Sequence, residues 1–201
     1  MTEALVINAT VRWVGEHWIL RLRRPNDDAD CAVVHLYHTH YSPAGTGHVA
    51  LVSLPSQRYN AICTDNSNLA EYVGRLWLAE RLAQTGSEMP PVVEAEFVQS
   101  GDLRDSPGWR IRAPDNSIDA VWSNLQPPVT ALRPDPAIYR RRAVFNILYF
   151  ANSAQIKLNG QQVEGSPYRH DLWRQSIGGE DRSSCVFALA EAFVADDANL
   201  G

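Results

Sequence analysis

Residues 31–54 read CAVVHLYHTHYSPAGTGHVALVSL, two apolar-rich runs on either side of Ser42-Pro43-Ala44-Gly45-Thr46-Gly47. Strand alternation places His35, Tyr37, Thr39 and Tyr41 on one face of the first run and Val34, Leu36, His38 and His40 on the other. The proline and glycines between the runs interrupt any regular period, so Cys31 to Tyr41 and His48 to Leu54 predict two strands joined by a loop.

Working outward, Leu5, Ile7, Ala9, Val11 and Trp13 alternate, and Gly15-Glu16 reads as a turn before Trp18, Leu20 and Leu22, predicting a hairpin. On the other side Tyr59 to Thr64 is a further strand. The period then changes. Leu69, Tyr72, Val73, Leu76, Trp77 and Leu82 recur at helical spacing between the capping stretch Asp65-Asn66-Ser67 and Gly86, predicting one amphipathic helix near residues 67–85. Strands follow at Val92 to Val98, Trp109 to Ala113 and Ile118 to Ser123, with Asp115-Asn116 a tight turn. Ala143 to Phe150, Gln155 to Leu158, Gln161 to Val163 and Cys185 to Val194 complete the set. Asn159-Gly160 is a hairpin turn because both residues tolerate positive φ. The connection from Gly165 to Ser184 exceeds the usual loop length and reads as a lid or binding loop.

About ten strands and one helix predict a mainly β single domain over residues 1–201. The expected form is an antiparallel, calycin-like β-barrel or strongly curved sheet, with a two-sheet sandwich as the alternative. The 201 residues, 45% hydrophobic and 20% charged, exclude disorder, collagen and a bare coiled coil. With 23 acidic against 18 basic side chains the formal charge of -5 gives no pull toward nucleic acid or an anionic membrane. Neither is expected as a partner. Cys31, Cys63 and Cys185 lie far apart, without ligand spacing, and read as structural thiols in a reduced compartment. The opening residues Met1 to Leu5 lack a basic segment and a long apolar run, so the expected location is cytoplasmic.

No segment carries a motif with a unique catalytic meaning, and function is read from constellations. His35, Tyr37 and Tyr41 share a strand face and offer a titratable base beside two phenols. Glu191 alternates with Phe187, Leu189 and Phe193, apolar company that would raise its pKa into a useful range for acid–base work. These four are the expected catalytic groups. Trp18, Trp122, Asn146 and Tyr149 are expected to line a cavity, with Tyr168 and Trp173 from the long loop closing over it. His38 and His40 have a spacing that suits one metal ion, but two ligands do not complete a site, so no metal is assigned, and no cofactor. Lys157 lies between Ile156 and Leu158, on the solvent side, where nothing would activate it as a Schiff-base amine. The expected function is binding of a small apolar or aromatic molecule inside the barrel, with cofactor-free acid–base chemistry of the isomerase, hydratase, lyase or cyclase type. A non-catalytic carrier, or an interaction module with a filled barrel, are the alternatives. Oligomeric state is left open.

Overall fold

The computed structural model describes residues 10–78, 88–134 and 142–195. The strands are β1 (Thr10–Leu22), β2 (Ala32–Tyr41), β3 (Gly47–Leu54), β4 (Tyr59–Thr64), β5 (Val92–Glu94), β6 (Glu96–Ser100), β7 (Gly108–Arg112), β8 (Ser117–Leu125), β9 (Val129–Pro134), β10 (Arg142–Leu158), β11 (Gln161–Gln162) and β12 (Val186–Ala195). They hydrogen-bond in the order β5-β4-β3-β2-β1-β12-β10-β8-β7-β6, with β9 and β11 paired to β10. Every pairing is antiparallel except β4 with β5.

That order contains its own closure. The two ends of the path, β5 and β6, are successive in the chain and separated only by Ala95, so the sheet must curl until its edges meet in one nearly continuous strand. Ala95 is buried at that seam and donates its backbone N–H to Thr64. A barrel-shaped sheet is thus selected over a sandwich, as the strand count suggested.

The turns behave as their residues dictate. Asn159 (φ 52°) and Gly160 (φ 78°) are both left-handed between β10 and β11, and Ala113 and Asn116 exchange backbone hydrogen bonds around the β7–β8 turn. Ile156 is buried and Lys157 exposed, as their alternation implies. Two expectations need correction, and a third lies partly outside the described residues. Gly15-Glu16 is not a turn: β1 runs straight through it, because the register irregularities between Val14 and Gly15 and between Gly15 and His17 absorb the break. Gly15 is demanded by a close crossing, since a Cβ there would lie 2.1 Å from the His38 carbonyl oxygen. The helix α1 (Ser67–Val73) continues only as a π-turn to Leu78, residues 79–85 lying outside the described stretches. The long loop holds a second helix, α2 (Asp171–Ile177).

The barrel is filled through its middle. Trp18 stacks on Phe187 at 4.3 Å, Tyr149 on the other side of Phe187 at 5.2 Å, and Trp18 meets Trp122 and Trp109 edge-on at 5.2 and 6.0 Å. The Trp122 indole N–H bonds the Ile19 carbonyl at 2.9 Å. Trp18, Trp122 and Tyr149 therefore build the core, the first two fully buried, rather than line a pocket. On the outer wall α1 covers Trp13, Tyr37, Val49, Ile62 and Phe193, while α2 sets Trp173 edge-on to Phe150 at 5.9 Å. Among the described residues no helix is long and apolar enough to cross a membrane.

Candidate functional site at the barrel mouth

Both faces of β2 carry the expected residues, but the face that looks into the barrel is the one with Val34, Leu36, His38 and His40. Alternation alone cannot tell the two sides apart here, because α1 buries the outer face as thoroughly as the lumen buries the inner one. His35, Tyr37 and Tyr41 thus lie outside. Tyr37 is stacked between His17 (4.2 Å) and Trp77 (4.7 Å), His35 takes hydrogen bonds at 3.2 Å from Arg21, and Tyr41 is 51% exposed.

Glu191 is also turned outward. Leu148 pairs with Ala188 and Ile147 with Ala190, leaving Leu189 unpaired, and this bulge shifts Glu191 from the Phe187 face to the Ala188 face. There Asn146 donates its amide to Glu191 at 3.3 Å and His17 Nδ1 stands 3.5 Å from the same carboxylate. The structure therefore joins Tyr37, Glu191 and Asn146 through His17, a residue the sequence did not single out, and leaves His35 at the edge and Tyr41 apart. Tyr168 hydrogen-bonds Asp30 at 2.7 Å under the Arg23 guanidinium, 3.7 Å above its ring. Instead of closing a lid, Tyr168 and Trp173 pin the long loop to the wall, and the cleft of about 480 Å³ beside Tyr168 mixes polar groups such as Gln126, Asn152 and Asp181 with Pro127 and Pro167.

The lumen-facing row gathers the chemistry. Glu16 pairs directly across from His38, and His38 from His48. Asp65 follows Thr64 at the end of β4, next in line. Cross-strand neighbours stand about 5 Å apart, so side chains spaced widely in sequence become a contiguous band. The His38 ring stacks on His48 at 4.3 Å and meets His40 edge-on at 4.5 Å. Glu16 Oε1 lies 3.5 Å from His38 Nδ1 and 3.8 Å from His40 Nε2, while its Oε2 accepts the Trp18 indole N–H at 2.9 Å. His48 Nδ1 contacts Asp65 Oδ2 at 2.6 Å, and the His48 backbone N–H bonds the other oxygen at 2.6 Å. Gly47, at φ 134°, makes this fit: a Cβ there would lie 2.5 Å from Asp65 Oδ1. Across the lumen Phe97 stacks on His48 at 4.9 Å, and Trp109 is 5.4 Å from His48 and 5.6 Å from His38.

Burial, reinforced by the neighbouring His48, holds the His38 pKa below the ordinary imidazole value against the opposing pull of Glu16. His38 Nδ1 and the Trp109 indole N–H are buried without a hydrogen-bond partner among the described residues. An open cleft of about 630 Å³ at the rim, bounded by Asp65, Glu94, Glu96, Arg112 and Pro114, adjoins Asp65. Sequence reasoning set His38 and His40 aside for want of a third ligand and read Asp65 as part of a helix cap. Asn66 is the cap, accepting from the Leu69 N–H. The missed signal was hairpin register: β2 and β3 pair with a two-residue offset, Thr39 meeting Gly47, and that offset rather than symmetric closure of the loop brings His38 opposite His48.

Fold and site together define a β-barrel protein with an imidazole–carboxylate cluster at one mouth. No protein-family model matches the chain, and no curated protein matches it. Among solved structures, one from structural studies of acetoacetate decarboxylase is similar over 92% of this chain and 85% of its own, at 10% identity and a TM-score of 0.38. At that distance it bears on neither chemistry nor substrate.

Proposed function

We propose that the chain binds a small, flat aromatic molecule at the barrel mouth and exchanges a proton with it through His48. The observation that carries this reading is the His48–Asp65 contact of 2.6 Å on the lumen face, with aromatic rings opposite. An ionised carboxylate only accepts, so Asp65 places the imidazole proton on Nδ1 and leaves Nε2 as a lone pair, the form a general base requires. Phe97, only partly buried, is the aromatic ring nearest the rim, and the buried, unpartnered Trp109 N–H behind it suits an oxygen or nitrogen on a guest that displaces Phe97 from His48. The reaction classes that fit are the proton transfers of isomerases, hydratases, lyases or cyclases.

Tryptophan emission tests the site, because Trp109 lies against both imidazoles. A panel of small aromatic acids, phenols and ketones is expected to include ligands that quench emission saturably, with the quenching lost in Trp109→Phe. Asp65→Asn is expected to lower any turnover about 100-fold while changing affinity little. Absence of saturable quenching across the panel, or quenching that survives Trp109→Phe unchanged, overturns the reading.

A further inference from the structure

We propose that Glu16, His38 and His40 form a binding site for one divalent transition-metal ion of the zinc or iron(II) class. The inference deepens the mouth reading above and rests on it only for the site's use, since the ligand geometry stands by itself.

The donor atoms are already converged. Glu16 Oε1, His38 Nδ1 and His40 Nε2 all lie within 4.8 Å of one another. Ligands at about 2.1 Å in a tetrahedral arrangement are separated by about 3.4 Å, and the two pairs involving Glu16 measure 3.5 and 3.8 Å. Those two edges need only a few tenths of an ångström of side-chain movement, and the third, between the two imidazole nitrogens, lies within 4.8 Å. His38 would coordinate through Nδ1 with its proton on Nε2, and His40 through Nε2 with its proton on Nδ1. The buried His38 Nδ1 has no hydrogen-bond partner among the described residues, which a metal ion would supply.

The support behind the donors has the form metal sites need. The Trp18 indole N–H holds Glu16 Oε2, so Oε1 alone faces the imidazoles as a monodentate ligand. Trp18 is itself locked in the core, and Glu16 and His38 are fixed by directly opposed strand positions. His40 sits where β2 carries an extra residue, Val14 pairing with Tyr41 and Gly15 with Thr39, and that irregularity frees it to lean toward Glu16. Two imidazoles and one carboxylate leave at least one coordination position open, the composition of catalytic rather than structural sites. His40 is half-exposed at the rim, so an ion and an oxygen-bearing guest can both reach the site.

The test titrates chelator-treated protein with ZnCl₂ by calorimetry, and with CoCl₂ by its visible absorption, in the absence of any aromatic guest. The expected result is one ion per chain with micromolar or tighter affinity, and a higher melting temperature in its presence. Glu16→Gln and His40→Ala should each weaken zinc at least 100-fold, and Trp18→Phe, which stays aromatic but loses the N–H and part of the ring volume, about 10-fold. Melting and near-ultraviolet circular dichroism of the metal-free variants confirm that they fold. His40→Ala, at the rim, tests the site even if Glu16→Gln does not fold. No stoichiometric uptake by the wild type, or unchanged zinc affinity in His40→Ala, overturns the inference. Tryptophan quenching by the aromatic panel in chelator-treated protein decides the mouth reading separately.

Discussion

Glu16 and His17 are consecutive on β1 and head two imidazole–carboxylate clusters on opposite faces of the same sheet. Inside, Glu16, His38, His40, His48 and Asp65 form a row that reaches the rim, with Asp65 bordering the open cleft. Outside, His17 bridges Glu191 and the Tyr37 ring, and Trp77 covers Tyr37 from the other side. Similar side chains thus serve different ends. The outer set is covered and acts as a polar rivet between β1, β2, β10 and β12, whereas the inner set is open at its edge. What separates the two clusters is cover, not composition, and the proposed function rests on that difference.

Gly15 joins the two clusters, and its loss should have the largest effect. A methyl at Gly15 would collide with the His38 carbonyl and the Trp13 ring, so Gly15→Ala must push β1 away from β2. We expect a loss of about 3 kcal/mol in urea unfolding, together with loss of zinc uptake at the mouth. A variant with wild-type stability would mean that the strands do not cross so closely, and the comparison would fail at its hinge.

His17→Ala should come next, at about 2 kcal/mol, because it strips Glu191 of one of its two partners and Tyr37 of a stacked ring. Zinc affinity and aromatic quenching should stay within twofold of wild type. A selective loss of either with stability intact would make the outer cluster the functional one. Asp65→Asn is the converse probe: its side chain is partly exposed, so we expect under about 1 kcal/mol in stability, with the defect falling on proton transfer.

The two clusters also show what a lone sequence can reveal. Alternation in β2, the Asn159-Gly160 turn and the onset of α1 were legible because each depends on neighbours a few residues away. The barrel was legible from strand number. The lumen side of β2 was not, since Leu36 and Tyr37 are buried alike on opposite faces. Glu191 was misplaced because the extra residue at Leu189 leaves no mark in an apolar run. The row from Glu16 to Asp65 was invisible for a different reason: its members meet only through the registers of three strand pairs, and no local period encodes them.

The smallest expected effect concerns His170, on the outer wall beside the network of Arg21, Asp30 and Arg23. Burial, followed by the Arg21 charge, lowers its pKa below 6.5, with Asp30 and Asp171 opposing only in part. Its Nδ1 is buried without a partner among the described residues. Because the unfolded chain binds this proton more tightly than the folded one, the neutral ring favours folding above about pH 6.5, and that contribution drains away as the pH falls below it. His170 is only partly buried, so solvent screening keeps the effect small. His38 on the inner face shifts in the same direction, and a metal ion would hold it deprotonated. Urea midpoints from pH 7.5 to 5.5 should therefore fall less steeply in His170→Gln than in wild type, with or without zinc, whereas the share owed to His38 should grow when zinc is bound, because the metal-bound folded state takes up no proton there while the unfolded chain does. If His170→Gln loses stability with acid as steeply as wild type, the outer wall contributes nothing to that loss.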